Sequence, residues 1–298
     1  MPEFDIVLLT EDRYEDPPVM TEYIRNILTD DHLLKTALEN RGLRVIRKSW
    51  ADPEFNWKST RFACFRTTWD YFERFEKFSK WLEVASSQTT FINSIELIKW
   101  NMDKHYLSDL NNRDVHTVET LFMEKNDDRS LADISQKFKG EIFILKPAVS
   151  GTARHTYKIT SDTLSAHEDI FKALIANESM LLQPFQQYVL LHGEISMIVI
   201  GGRFTHAVRK KAKDGDFRVQ DDFGGTVHAY QPANEEIEFA EKAVNTCNPR
   251  PLYARVDIIR DNNNRLAIME LELIEPELWF RRNPLAAEML ADEILKLF

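Results

Sequence analysis

The chain has 298 residues and a formal net charge of −10, with 48 acidic against 38 basic residues. This acidic balance argues against nucleic acid as the main partner, because phosphate backbones are bound by net basic surfaces. No stretch approaches the roughly 20 apolar residues of a membrane-spanning helix, and the acidic N-terminus lacks a signal-peptide pattern, so we expect neither a membrane partner nor secretion.

The first hundred residues alternate strand and helix patterns. Short apolar runs predict four strands, over residues 5–10, 43–46, 62–65 and 89–92. Helical spacing predicts one helix that ends at Gly42, a residue suited to a C-cap, and a second helix over residues 72–84. Strands separated by helices predict a doubly wound, mostly parallel α/β sheet in an N-terminal domain over residues 1–110.

The pattern changes after about residue 111. Two helices and two strands are predicted next, at 130–139, 141–146, 167–177 and 180–183. Further strands then follow one another through turns rich in Gly, Asp and Asn, at 194–200, 203–210 and 253–259, and a helix closes the chain at 284–297. We therefore predict an α+β architecture in the C-terminal half, divided into subdomains over residues 111–186 and 187–298.

Missing motifs exclude several enzyme classes. The sequence has no G-x-x-x-x-G-K-[ST] loop and no G-x-G-x-x-G after a strand, so neither a P-loop NTPase nor a dinucleotide-binding Rossmann domain is supported. Hydrolase elbows, H-E-x-x-H pairs and protein-kinase signatures are also missing. Eight of the nine glycines lie between Gly140 and Gly225, which marks this stretch for tight turns or ligand contacts. Cys64 and Cys247 have no metal-ligand spacing, and reduced thiols in a cytoplasmic protein are favoured over a single disulfide.

An acidic set near the C-terminus carries the strongest chemical signal. Asp257 lies in one predicted strand, Glu270 and Glu272 lie in the next, and an asparagine turn at 262–264 joins the two as a hairpin. Side chains two apart on a strand share a face, so coincident polar faces would bring three carboxylates together. Such a group needs a cation, and oxygen ligands suit Mg²⁺. The alternative is an exposed face with solvated acids, and the pattern leaves both interpretations open.

Basic residues supply the complementary signal. Lys146 closes an apolar strand before a turn-like segment able to approach phosphates, and Lys104 lies at a domain junction. Taken alone, each lysine is more typical of a protein surface than of a ligand site. Six basic residues fall between Arg203 and Arg218, where a small polyanion could bind or where the turn is simply solvated.

The sequence resembles the ATP-grasp superfamily, in the branch that includes bacterial glutathione synthetase and the ribosomal-protein glutamate ligases. The resemblance extends over the whole chain and is closest to relatives of the cyclo-ligase that closes the ring of O-ureido-serine in the cycloserine pathway. The segments that carry it are RTTWDY at 66–71, WNMDK at 100–104, LKPAVS at 145–150, QPF at 183–185, GEIS at 193–196, HAVRK at 206–210 and MELELIEP at 269–276.

This resemblance implies an ATP-grasp fold, in which the N-terminal domain is followed by two subdomains that clasp ATP. It implies that ATP is contacted by Lys104, Lys146, Gln183, Pro184, Phe185, Glu194 and Lys210. It implies that Mg²⁺, with Mn²⁺ as a substitute, is bound by Asp257, Glu270 and Glu272. It implies catalytic roles at the transferred phosphate and the acyl phosphate for Lys146, Arg209 and Arg218. The loop at 150–155 departs from the family, since it has one glycine where relatives often have several.

The implied activity is that of an ADP-forming carboxylate–amine ligase. A substrate carboxylate is activated as an acyl phosphate and captured by a nitrogen nucleophile. The expected substrate is an amino-acid-like small molecule, with ring closure as one candidate reaction, and a homodimer is common among relatives. An ATP-dependent small-molecule kinase on the same fold and a non-catalytic nucleotide-binding module are the alternatives that the sequence leaves open.

A substrate site is predicted at the end of an N-terminal strand. Thr67, Thr68 and Asp70 are polar and follow the apolar run at 62–65. The carboxyl ends of strands are where α/β sheets bind ligands. The alternative is that the two threonines cap the following helix, and both interpretations stay open.

Overall fold

The computed structural model describes residues 2–151, 153–213, 216 and 224–298, which are arranged around three sheets. The strands of the first sheet are β1 (Phe4–Thr10), β2 (Val45–Ser49), β3 (Thr60–Thr67) and β4 (Thr90–Ile92). They are parallel and lie in the order β2-β1-β3-β4. The accompanying helices are α1 (Asp12–Glu15), α2 (Glu22–Glu39) and α3 (Phe75–Ser86).

Helices cover both faces of this first sheet. Ile6 and Leu8 of β1 share a core with α2, whereas Val7 and Leu9 share a core with α3. Successive side chains of a strand point to opposite faces, so a continuous apolar run must be covered on each side. The predicted doubly wound parallel sheet is confirmed.

The second sheet is reached through two helices, α4 (Ile95–Asn101) and α5 (Tyr106–Asn112). Its strands are β5 (Leu121–Met123), β6 (Ile142–Pro147), β7 (Tyr157–Thr160) and β8 (Met180–Pro184). All neighbours are antiparallel, in the order β5-β8-β6-β7. The helices α6 (Leu131–Ser135) and α7 (Leu164–Ile175) bury their apolar residues against this sheet.

The third sheet is antiparallel and contains β9 (Glu194–Ile200), β10 (Arg203–Lys211), β11 (Thr226–Tyr230), β12 (Tyr253–Arg260) and β13 (Leu266–Glu272). Its order is β11-β10-β9-β12-β13. The remaining helices are α8 (Gln187–His192), α9 (Asn234–Asn245) and α10 (Pro284–Leu295). Helix α9 packs on one face, and α10 shares a core with the other face and with α2. The predicted α+β arrangement of the C-terminal half is confirmed.

Some boundaries differ from the predictions because local turns replace helix. The helix predicted over 130–139 ends at Ser135, after which the amides of Lys137 and Phe138 donate to the carbonyls of Ile134 and Ser135 in four-residue turns. The helix predicted from residue 72 begins at Phe75, since residues 68–74 form tight turns. Helices α4 and α5 had no predicted counterpart. None of the described helices combines the length and apolarity needed to cross a membrane.

A buried asparagine joins the first sheet to the third. Asn93, which follows β4, is 1% exposed. Its Nδ2 donates to the carbonyl oxygens of Tyr253 and Leu273 at 3.0 and 2.9 Å. Its Oδ1 accepts from the Leu252 amide at 2.6 Å. Asn93 therefore holds β12 and the end of β13 in register with the N-terminal sheet.

Replacing this asparagine is expected to destabilise the fold. Asn93→Ala leaves three buried backbone groups without a partner, and each such group costs about 1–3 kcal/mol. We expect the apparent free energy of unfolding in urea to fall by at least about 2 kcal/mol. Asn177→Ala, at an exposed position after α7, serves as the control and should change it by less than about 0.5 kcal/mol. Equal effects of the two variants would contradict the assigned role of Asn93.

Candidate active site

A cleft of about 260 Å³ is lined by residues of the second and third sheets and of segments next to the first sheet. Its walls come from β6 and β8 of the second sheet, from β9, β10, β12 and β13 of the third sheet, and from residues that follow β3. A concave site lined by a few convergent polar groups is the usual form of a small-molecule site.

The acidic set lies on one wall of this cleft. Strands β12 and β13 form the predicted hairpin, in which Arg255 faces Glu272 and Asp257 faces Glu270. Asp257, Glu270 and Glu272 each offer a carboxylate oxygen within 4.8 Å of the others. The predicted convergence of the three carboxylates is thus confirmed, and the alternative of a fully solvated strand face is excluded because Asp257 is 1% exposed.

Protein cations compensate this negative charge. The Arg255 guanidinium donates to Asp257 at 2.9 Å and also to Glu272. Lys210 Nζ lies 2.9 Å from Asp257 Oδ2 and 2.6 Å from Glu194 Oε1. Burying charges is tolerated where each has a close partner of opposite sign. Lys210 and Glu194, both predicted at the nucleotide, therefore belong to the same network as the acids.

The network separates the proton affinities of its acids. Burial alone would raise the pKa of every carboxyl group here, but Arg255 and Lys210 hold the pKa of Asp257 below its usual range. Two lysines similarly lower the pKa of Glu270 against the effect of burial. Burial raises the pKa of Glu272 to about 8, although Arg255 opposes the shift. Neighbouring acids with opposite shifts are typical of functional sites.

Lys104 and Lys146, both predicted to contact ATP, line the same cleft. Lys104 Nζ lies 3.1 Å from Glu270 Oε1 and donates to the Ser150 carbonyl at 2.6 Å. Burial lowers the pKa of Lys146, on β6, to about 8. Gly151 follows in the loop, and a Cβ there would lie 2.4 Å from the Phe72 ring. With the Phe72 ring in this position, a residue larger than glycine would force the ring or the loop to shift.

Gln183, Pro184 and Phe185, which are predicted to contact ATP, lie at the end of β8 and line the same cleft. Gln183 is 1% exposed, and its Nε2 donates to Thr120 Oγ1 at 2.9 Å. Its Oε1 is buried without a hydrogen-bond partner among the described residues. Buried polar atoms are nearly always paired, so this oxygen is suited to accept from a ligand. Pro184 and Phe185 continue the wall, and the Phe185 amide donates to the Ile142 carbonyl at 2.9 Å.

Arg209 does not line the cleft. It precedes Lys210 on β10, and neighbouring side chains of a strand point to opposite faces. Its guanidinium carbon lies 4.2 Å from the centre of the Tyr230 ring, whose hydroxyl donates to Glu236 of α9. This placement corrects the prediction that Arg209 faces the transferred phosphate. Arg218, the other predicted arginine, lies outside the described residues.

The three predicted substrate residues also lie away from the cleft lining. Thr67 pairs with the Thr10 hydroxyl at 2.6 Å, Thr68 is fully buried, and the Asp70 carboxylate accepts from Trp50 and Arg74 at 2.7 Å. Neither threonine caps a helix, because α3 begins later, at Phe75. The late start of α3 excludes the alternative capping role, and the substrate role of the three residues stays a prediction.

Other residues of the same segments form the wall instead. Trp69 and Tyr71 alternate with the buried polar residues and line the cleft, as does Arg255. The signal for Arg255 was present in the sequence, since it lies two residues before Asp257 on the same strand face. The aromatic residues carried no comparable signal, because their type is equally common in a core.

Comparison with protein families agrees with this geometry. The model of the RimK-like ATP-grasp domain matches residues 114–276, and that of the N-terminal domain of D-cycloserine synthetase DcsG matches residues 6–93. The chain is 27% identical over 260 residues to the cycloserine biosynthesis protein DcsG of Streptomyces lavendulae, an alignment that covers 82% of this chain and 86% of that protein.

Solved structures show the same fold. The crystal structure of D-cycloserine synthetase DcsG superimposes with a TM-score of 0.85 at 23% identity, covering 98% of this chain and 99% of that chain. D-alanine–D-alanine ligase from Bacillus anthracis superimposes with a TM-score of 0.65 at 15% identity, covering 98% and 96%. These similarities confirm the ATP-grasp fold.

Removing the central guanidinium is expected to destabilise the metal-free protein. Arg255→Met leaves Glu272 without its cation and Asp257 with Lys210 alone, and breaking a buried ion pair costs about 3–5 kcal/mol. We expect the free energy of unfolding in urea, measured with EDTA present, to fall by about 3 kcal/mol, the lower end of this range. Arg265→Met, at an exposed position in the hairpin turn, is the control and should be nearly neutral. A neutral effect of Arg255→Met would contradict the compensation described above.

Proposed function

Since the chain belongs to the RimK-like ATP-grasp family and is an ATP-dependent ligase, we propose that it activates a substrate carboxylate as an acyl phosphate. A nitrogen nucleophile then attacks the carbonyl carbon, an amide bond forms, and inorganic phosphate leaves. The observation that supports this proposal best is the convergence of three carboxylate oxygens within 4.8 Å, in a cleft that Lys104 and Lys146 also line.

We propose that Asp257, Glu270 and Glu272 hold Mg²⁺. The donor set fits this ion, because Mg²⁺ prefers oxygen ligands and is usually held by one or two carboxylates together with substrate phosphates. When bound, the ion offsets the negative charge that builds up on the phosphates. Mn²⁺ prefers the same ligands and is the proposed substitute.

The chain's own cations are proposed to do the remaining electrostatic work. Lys146 lines the cleft, and Lys210 and Arg255 project from β10 and β12 toward the same acids. Phosphoryl transfer depends mainly on positioning and charge neutralisation, so fixed cations at this place lower its barrier. Arg218 stays a predicted partner in this role.

The buried oxygen of Gln183 is proposed to select adenine. The Thr120 contact fixes the side-chain amide with Oε1 unpartnered, and an adenine amino group is a donor that could satisfy it. A site built to pair with a donor rejects an analogue that presents an acceptor, because both groups are then left without a partner.

We propose an amino-acid-like small molecule as the substrate. The similarity to DcsG supports ring closure, in which the attacking nitrogen belongs to the activated molecule itself. The test is a screen of ADP release over amino acids and ureido-amino acids, with mass spectrometry of the products. Loss of one water from a single substrate identifies ring closure, whereas a stable phosphorylated product would contradict the ligase assignment. A homodimer and a cytoplasmic location stay predictions.

Neutralising one metal-binding acid is expected to stop the reaction without unfolding the protein. Glu270→Gln weakens the proposed Mg²⁺ site and with it the charge that offsets the phosphates, and losing one such electrostatic contact raises the barrier by about 2.7–4 kcal/mol, or roughly 10²–10³ in rate. ADP release by the purified variant should fall at least about 100-fold at saturating ATP and Mg²⁺. Glu83→Gln, exposed on α3, is the control for charge removal. Near-normal ADP release by folded Glu270→Gln would overturn the assignment.

A second substitution tests base selection. ATP and inosine triphosphate differ at position 6 of the base, where the first has an amino group and the second an oxygen. Unmodified protein should prefer ATP by at least about 10-fold in kcat/KM, which corresponds to one buried hydrogen bond of roughly 1.4 kcal/mol. In Gln183→Leu the kcat/KM values for the two nucleotides should become nearly equal. A preference that survives the substitution would exclude Gln183 as the selecting group.

A further inference from the structure

One part of the cleft takes no part in the phosphate chemistry proposed above. It is lined by the rings of Trp69, Tyr71, Phe72 and Trp279 and by the Glu275 side chain, and we refer to these five residues as the aromatic subsite. Glu275 follows β13, three residues beyond Glu272. The Trp69 indole N–H donates to the Glu275 carbonyl at 2.9 Å, which fixes the acidic residue against the aromatic wall.

Glu275 differs from the other glutamates of the cleft in its charge balance. Each of the others has a cationic partner within ion-pair distance: Glu194 with Lys210, Glu270 with Lys104, Glu272 with Arg255 and Glu277 with Arg281. Among the residues that the structure describes, Glu275 has no cation within that distance. Among these five glutamates, Glu275 therefore lacks close compensation from the described residues, and Lys104 acts on it only from a greater distance.

The surroundings make this isolated charge costly. Burial raises the pKa of Glu275 well above its usual range, and the nearby Glu272 and Glu270 raise it further. A carboxylate in such a place is stabilised by a cation that enters with a ligand. Aromatic faces add to this attraction, because their negative quadrupoles favour a positive group held above them.

Trp279 provides an independent sign of a ligand. It is 1% exposed, yet its indole nitrogen has no hydrogen-bond acceptor among the described residues. Its backbone has a φ of 45°, in the left-handed region that bulky residues rarely adopt. Unpaired donors and strained backbone are concentrated at binding sites, where the surrounding structure holds them in place for a partner.

We infer that the aromatic subsite binds a positively charged nitrogen of the substrate, held by Glu275 and by the surrounding rings. This inference rests on the proposed function and specifies its substrate class as an amine-bearing carboxylic acid. A protonated nitrogen has no lone pair, so the nitrogen held here serves recognition and is distinct from the attacking nitrogen.

The experiment compares acids that differ only at the nitrogen. Serine is matched by glycerate and alanine by lactate, since each pair exchanges an ammonium for a hydroxyl of similar size. Binding to the full chain is measured by calorimetry, with a non-hydrolysable ATP analogue and Mg²⁺ present. We expect the amine-bearing member of at least one pair to bind at least 10-fold more tightly. In Glu275→Gln the ratio of the two dissociation constants within a pair should fall to about two or less, because the amine binds more weakly.

Matched variants separate the effect of the Glu275 charge on the amine preference from effects on the structure. Glu277→Gln changes an acid that Arg281 already compensates, so the ratio should be retained. Glu275→Asp keeps the charge and should retain part of the preference, whereas Trp69→Leu should reduce it with the carboxylate intact. A ratio below about three-fold in the unmodified protein for both pairs, or no binding of either amine, overturns the inference even if Glu275→Gln fails to fold. An amine preference that persists in folded Glu275→Gln also overturns it.

Two results distinguish a failure of this inference from a failure of the proposed function. Amine-selective binding that depends on Glu275, without ADP release from any carboxylic acid in the screen, would retain the subsite and reject the ligase reaction. ADP release from amine-free acids at the same kcat/KM would retain the ligase and reject the subsite.

Discussion

The structure of the cleft depends on one constraint, the compensation of buried charge in the third sheet. Four strands place Glu194, Lys210, Arg255, Asp257 and Glu272 on one face, close enough for each charge to have a partner. Ionised groups are buried at a cost of several kcal/mol each unless such partners exist. The register of β9, β10, β12 and β13 therefore positions the reactive groups and is itself stabilised by their pairing.

Much of this arrangement could be predicted from the sequence, since it depends on local periodicity. Apolar runs of four to six residues identified the strands of the parallel sheet, and the alternation around Asp257 and Glu270 predicted a hairpin with a shared acidic face. The two-residue period of a strand fixes which side chains coincide, so three carboxylates could be placed together without knowledge of the rest of the fold.

The remaining features depend on tertiary placement that no local pattern records. Arg209 and Lys210 are both basic, and only the orientation of β10 decides that the lysine faces the cleft while the arginine packs on Tyr230. Polar type suggested that Thr67 and Asp70 face the cleft, yet they satisfy buried partners and Trp69 lines it instead. Residue type predicts chemistry well and predicts orientation poorly wherever polar groups are needed inside the fold.

The compensated network also bears on how the proposed reaction begins. In the metal-free protein, Arg255 and Lys104 are engaged by Glu272 and Glu270, the same acids proposed to hold Mg²⁺. A divalent ion among these carboxylates would replace part of that compensation and leave both cations available to nucleotide phosphates. Charge exchange of this kind ties metal binding to phosphate binding, since each reduces the cost of the other. Among the residues that the structure describes, Glu275 has no cation in contact to exchange, and the positive nitrogen proposed above would supply one from the substrate.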